Sequence, residues 1–339
     1  MIHGIPPAVA YKLPLTPRST PGARQALELS SVFPMRLRPS PIVMAFFLTT
    51  LVAFPLRSDD FAGTSKLQHA VDRAMGKLPG ALVVVDVASR TVLAAHRMDL
   101  ASLRLEAPGS TLKPFLLMAL LETGKLDPQQ EFICRRPLKI GSAQMDCTHP
   151  AEVAQLDAAE AIAYSCNSYV AQVASRLSGA ELVELLRRAG LDTPSGLVPQ
   201  EARGRIALPS NLEDLQLEAL GYRGIAVTPL ELLEAYRKLA LRKRHEDMGV
   251  DAPVFSGLED SVAFGMAHAA SVDGMNVAGK TGTSIARNSQ QTHGFFVGYA
   301  PAERPEIAVV VFLAQGRGMD AAAVAQPVFS TFAKLRNRP

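Results

Sequence analysis

Three cysteines in 339 residues, Cys134, Cys147 and Cys166, are too few for a disulfide scaffold and lack the paired short spacings of a zinc-ligand set. The seven histidines show no ligand spacing either, so no metal is expected. Basic charge is scarce where a nucleic-acid binder needs it. Of 35 Lys and Arg and 32 Asp and Glu, six bases and one acid precede residue 58, leaving 29 bases against 31 acids in the remainder. A nucleic-acid-binding domain keeps its basic excess in the folded part, so that partner is excluded. No internal repeat or low-complexity tract follows Gly63. At 48% hydrophobic and 20% charged residues, disordered and collagen-like classes also fall away, and one large or two small domains can be buried.

What is present begins with a leader. Pro41 to Leu56 runs sixteen residues without a charge, preceded by Arg36 and Arg38 and followed by Arg57. That order of basic, apolar and polar segments is the pattern of an export signal. The run is short against the roughly 20 residues of a membrane span, and Pro55 lies near its end, so a cleaved signal and an uncleaved anchor both fit residues 35–57. The body is accordingly expected in the periplasm or on the extracytoplasmic face of the membrane. Residues 1–34 are a Pro-rich extension of uncertain role, and Met35 is a second candidate start. Residues 58–79 are expected to be a linker and first helix, too short for a further catalytic or pedestal module. Export would permit one bridge. Cys134 and Cys147 flank turn signals at Arg135–Pro137 and Gly141–Ser142, so a loop closed by a disulfide and two separate thiols are both open.

The body opens with Ala81–Val87, an apolar β-branched run, a turn at Ala88–Arg90 and a second run to His96, which together read as a hairpin. Two more strands, His293–Ala300 and Glu306–Leu313, are joined through Pro301 and Pro305, a connection suited to an antiparallel pair. Between them the apolar residues recur at helical spacing over 115–122, 158–177, 180–189 and 229–241, and Met319–Arg336 has a helical composition. Arg242–His245 reads as a solvated loop after a helix. The predicted fold is α/β (α+β): an antiparallel sheet built from N- and C-terminal segments with a flanking helical lobe, over residues 80–339, and a cleft between the two.

Three segments carry chemistry. In Gly109-Ser110-Thr-Leu-Lys113-Pro114, residues i and i+3 of a helix start share a face, so the Lys113 amine can lie beside the Ser110 hydroxyl. Serine with a lysine base is an activated nucleophile. Ser165-Cys166-Asn167 interrupts a helical pattern with small polar residues. Ala278-Gly-Lys280-Thr281-Gly282-Thr283-Ser284 is a strand that offers main-chain pairing and a cation to a bound peptide, and its upstream spacing fails that of a phosphate loop. Alone, the first also fits an N-cap serine with a solvated lysine, and the second a packing serine with an ordinary hydrogen-bonding asparagine. Together, in the order S-x-x-K, S-x-N, K-T-G, they form the set of penicillin-binding proteins and β-lactamases.

From about Gly80 to Arg336 the chain resembles the transpeptidase domain of penicillin-binding proteins. Gly224–Leu230 and Phe296–Pro301 look like further signatures of that family. The resemblance implies that Ser110 is acylated and that Lys113 accepts its proton. It implies that Ser165 and Asn167 complete the proton network, and that Lys280, Thr281 and Gly282 line the opposite wall. Thr283 would then hold the substrate carboxylate, and the Ser110 and Thr283 amides would form the oxyanion hole. The implied substrates are the D-alanyl-D-alanine end of peptidoglycan stem peptides and β-lactams, with other cell-wall proteins as candidate partners and membrane contact through the N-terminal segment. The resemblance implies no organic cofactor. A serine β-lactamase shares fold and motifs, but the class D tryptophan is missing and no class A deacylating glutamate is recognisable. A non-catalytic β-lactam sensor or scaffold is the third alternative.

Overall fold

The computed structural model describes residues 58–245, 249–285 and 291–337, so the readings made for 1–57 lie outside the described residues. Helix α1 (Ser58–Met75) leads into the hairpin β1 (Gly80–Asp86) and β2 (Val92–His96), then α2 (Met98–Leu103) and α3 (Lys113–Glu122). A stretch with only two-residue strands follows: β3 (Phe132–Ile133), β4 (Lys139–Ile140), β5 (Ala143–Gln144) and β6 (Gln155–Leu156). The lobe continues with α4 (Ala158–Ala163), α5 (Asn167–Ala174), α6 (Gly179–Arg188), β7 (Arg205–Ile206), α7 (Leu212–Ala219), β8 (Ile225–Ala226), α8 (Pro229–His245) and α9 (Ala252–Ala263). Strands β9 (Ala278–Ile285), β10 (Thr292–Ala300) and β11 (Ile307–Leu313) and helix α10 (Gly318–Arg336) close the chain.

The five long strands form one antiparallel sheet in the order β2-β1-β11-β10-β9, which inserts the C-terminal strands beside the N-terminal hairpin as the sequence predicts. Alternate side chains go to opposite faces of a strand, and here both faces are covered. Val83, Val85, Phe295, Val297 and Val310 join the core shared with the helical lobe, while Leu82, Val84, Phe296, Val309 and Val311 pack with residues of α1 and α10. That double burial is why β1 and β11 read as continuous apolar runs. Helix α3 is buried nearly all round through Phe115, Leu116, Leu117, Leu120 and Leu121, and so is the central post of the lobe. The strand β9 ends the sheet order and has one free edge.

Two local expectations change. Arg242–His245 is the last turn of α8, not a loop, and Arg242 pairs with Glu122 and, at 2.8 Å, with Asp251. The Cys134–Cys147 bridge is absent: all three cysteines are free, and the chain turns back after the β4–β5 hairpin so that Cys147 Sγ faces Cys166 Sγ at 3.6 Å. Among the described residues no helix is long and apolar enough to cross a membrane.

One buried acid makes stability depend on pH. Glu218 in α7 is 1% exposed, and its Oε1 has no hydrogen-bond partner among the described residues. Burial, with the Asp214 charge adding, pushes its carboxyl up to about 7. The folded-state value lies above the ordinary value of about 4.3, so between those limits the folded protein holds more protons and stability falls as pH rises. We expect Glu218→Gln to be more stable than the parent by about 1–3 kcal/mol at pH 8, and nearly equal to it at pH 4, in chemical denaturation at the two pH values.

Candidate active site

The turn that carries Ser110 is fixed by backbone contacts that tolerate no side chain. Gly109–Leu112 is a 3-10 turn and α3 starts only at Lys113, with Pro114 in its first turn where a missing amide costs nothing. Gly109 has φ +58°, its N–H donates to Gly221 O at 2.9 Å, and a Cβ on it would lie 2.8 Å from Thr283 O and 2.9 Å from Thr283 N. Gly221, at φ +68°, presses on Gly109 in return: a Cβ there would lie 2.1 Å from Gly109 O. From α8, Tyr236 donates its hydroxyl to Thr111 O at 2.8 Å. The turn that carries Ser110 is thus wedged between β9, the Gly221 turn and α8. The Ser110 side chain is half-buried and makes no hydrogen bond to the described residues.

Lys113 points into the lobe and is fully buried. Its Nζ donates to Ser165 O at 2.6 Å and to Asn167 Oδ1 at 2.6 Å, and lies 3.2 Å from Ser165 Oγ. The predicted helix over 158–177 is broken to make this clamp. Helix α4 ends at Ala163, Ser165 takes φ +55°, and Cys166 caps α5 by accepting the Tyr169 N–H on its sulfur. A left-handed serine costs about 1–2 kcal/mol of strain, and here the kink directs a carbonyl at the amine. Asn167 is turned by its other end: Nδ2 donates to Met145 O at 3.0 Å, which leaves Oδ1 for Lys113. Burial lowers the Lys113 pKa to about 8, against the opposing pull of Cys166 and Cys147.

Strand β9 supplies the third side. Lys280 is fully buried and sits well below its ordinary pKa, first from burial and then from the Lys113 charge. Gly282 lies where a Cβ would meet Pro108 O at 2.3 Å, so β9 approaches the Ser110 turn main chain to main chain. Alternation sends Thr281 and Thr283 the other way. Thr281 is buried with its Cβ near Gly318 at the start of α10, while Thr283 is exposed and its Oγ1 accepts the Gly318 N–H at 2.8 Å. All three motifs therefore meet at one place. Sequence reasoning missed Gly221, Tyr236 and Met145, whose contributions are a backbone contact, a distant hydroxyl and a carbonyl, and these leave no spacing signal.

The wedge predicts a contrast between two glycines of similar conformation. Gly124 has φ +66° but nothing within 4 Å of its missing Cβ, whereas Gly221 faces the backbone of the Ser110 turn. We expect Gly124→Ala to cost about 1 kcal/mol, and Gly221→Ala about 3 kcal/mol or more, in denaturant unfolding.

The chain is similar to known proteins in sequence and in fold. The chain is 28% identical over 250 residues to a probable peptidoglycan D,D-transpeptidase PenA of Neisseria flavescens, covering 66% of this chain and 62% of that one. It spans about half the length of the curated relatives it matches. A Burkholderia ambifaria structure described as a peptidoglycan glycosyltransferase superposes with TM-score 0.70 at 22% identity, covering 83% of this chain and 96% of that one. The D,D-transpeptidase domain of a peptidoglycan glycosyltransferase from Eggerthella lenta gives 0.68 at 23%, covering 80% and 82%. Residues 80–334 match the penicillin binding protein transpeptidase domain, and with the antiparallel sheet, the helical lobe and the three motifs brought together, the chain belongs to that family.

Proposed function

We infer that the protein is a serine acyl-transfer enzyme of peptidoglycan metabolism, a D,D-transpeptidase or carboxypeptidase outside the cytoplasm, acylated by stem peptides and by β-lactams. The observation that carries this reading is the Lys113 amine, wholly buried one turn from Ser110 and lowered to about 8. Its two shortest contacts are to acceptors without a proton to give, Ser165 O and Asn167 Oδ1. Those occupy two N–H groups, and the third tetrahedral position, which carries either a third proton or the lone pair, has Ser165 Oγ 3.2 Å away. In the neutral amine that lone pair takes the Ser110 proton as Oγ attacks the D-alanyl carbonyl. The new bond is Ser110 Oγ to the carbonyl carbon. The bond that breaks joins that carbon to the nitrogen of the terminal D-alanine, which leaves with the proton held by Lys113. Water or an acceptor amine then releases the acyl group.

The free edge of β9 suits an extended peptide, which gains main-chain hydrogen bonds by adding as a further strand. The main-chain N of Thr283 lies against the Gly109–Ser110 turn, which supports an oxyanion hole built from the Ser110 and Thr283 amides. Lys280 and the exposed Thr283 are the groups available to a terminal carboxylate.

A fluorescent penicillin is expected to label the parent protein and not Ser110→Ala. Only deprotonated Lys113 acts as base, so the labelling rate constant rises with pH, reaches half its maximum near pH 8, and falls about tenfold per pH unit well below that. A flat profile from pH 6 to 9 contradicts the assignment. With nitrocefin we expect a burst of one equivalent followed by near silence, and sustained hydrolysis would make the protein a β-lactamase.

A further inference from the structure

Three cysteines and a histidine that the proposed chemistry does not use converge beside the Ser165–Asn167 clamp. Their ligand atoms, the sulfurs of Cys134, Cys147 and Cys166 and a ring nitrogen of His149, all lie within 4.8 Å of one another. Cys147, His149 and Cys166 are at most 9% exposed. Cys147 Sγ to Cys166 Sγ is 3.6 Å and Cys134 Sγ to His149 Nε2 is 3.6 Å. Around a tetrahedral zinc, with bonds of about 2.3 Å to sulfur and 2.0–2.1 Å to nitrogen, those edges are about 3.8 and 3.6 Å. We propose that Cys134, Cys147, His149 and Cys166 form a closed structural zinc site that ties the 134–149 segment to the Ser165–Asn167 loop. The spacing in sequence, which argued against a metal, concealed the site because its ligands come from three separate stretches: after β3, after β5 and at the start of α5.

The surroundings fit thiolate and imidazole ligands. Cys147 Sγ accepts the Ser168 N–H at 3.3 Å, Cys166 Sγ accepts the Tyr169 N–H at 3.4 Å, and Cys134 Sγ accepts from Arg136 Nε at 3.3 Å. His149 Nδ1 lies 3.1 Å from Pro150 O and 2.5 Å from Arg136 Nη2; in the tautomer that a metal on Nε2 requires, Nδ1–H donates to Pro150 O and the guanidinium shifts off the ring. Arg136 lies against the ring, with Nη2 3.0 Å from Nε2, and is also held by His149 O at 2.9 Å and Pro150 O at 3.2 Å. It can release Nε2 to a metal and keep both carbonyls, and its charge offsets the net negative charge of zinc with three thiolates. Soft sulfur donors with one imidazole in a buried tetrahedron suit zinc among the common divalent ions.

The segment needs such a tie. From 134 to 154 it contains only the two-residue strands β4 and β5, yet its Met145 carbonyl orients Asn167. Cys166 itself lies between the strained Ser165 and Asn167, the two residues that grip Lys113. A metal there fixes the kink from behind without touching substrate.

The test is independent of the catalytic reading. Full-length protein purified under reducing conditions, with zinc in the growth medium and no chelator, is assayed for metal and for titratable thiols. We expect close to one zinc per chain, released by a thiol-binding mercurial, and a lowered melting temperature on removal. Exchange with cobalt should give tetrahedral d–d bands and thiolate-to-cobalt charge transfer, and His149→Ala and Cys147→Ser should each lower zinc content at least tenfold. If the variants do not fold, the cobalt spectrum and the mercurial titration of the parent protein decide alone. A reduced, folded protein with three free thiols and no bound metal overturns the proposal, as does an intact-mass deficit of two hydrogens that maps to a Cys147–Cys166 disulfide.

Discussion

A lysine ammonium taken wholly out of water is costly, and the rest of the site follows from how this chain accommodates one at Lys113. Burial pulls the pKa down to about 8, so deprotonation needs no second base. The remaining donors are satisfied by a backbone carbonyl and an amide oxygen, neither of which can be protonated at working pH. Each of those acceptors is positioned by something else. The carbonyl is aimed by the left-handed Ser165 and the amide by Met145 O, so the protonation state of one nitrogen depends on loops far apart in sequence.

The fold makes that burial affordable by setting Lys113 at the first residue of the most buried helix of the lobe and covering it from the sheet side with β9. Lys280 on β9 is buried as well, and two such amines in one electrostatic neighbourhood cannot both stay charged at low cost. The contact between β9 and the Ser110 turn runs through Gly109 and Gly282, where any side chain would collide with backbone. Because β9 is a sheet edge, its other main-chain groups remain free to meet an extended ligand.

Much of this was legible in the sequence. The β-branched runs at β1 and β11 and the S-x-x-K, S-x-N, K-T-G order give both the sheet and the residues that meet at its edge, because burial of both faces and a shared face one helical turn apart leave patterns in composition and spacing. The break at Ser165 was visible only as polar residues in an apolar helix pattern, and its left-handed φ was not. The packing of Gly221 on Gly109 and the convergence of Cys134, Cys147, His149 and Cys166 depend on tertiary folding, and neither has a local signature.

Lys113 is a weak base because it is buried away from water. NMR titration of protein carrying isotope-labelled lysine side chains tests this directly, with Lys113→Met to assign the resonance. The account predicts a lysine side-chain signal that titrates near pH 8 and is lost in the variant. A Lys113 signal that titrates at about 10.4, with the exposed lysines, would contradict it.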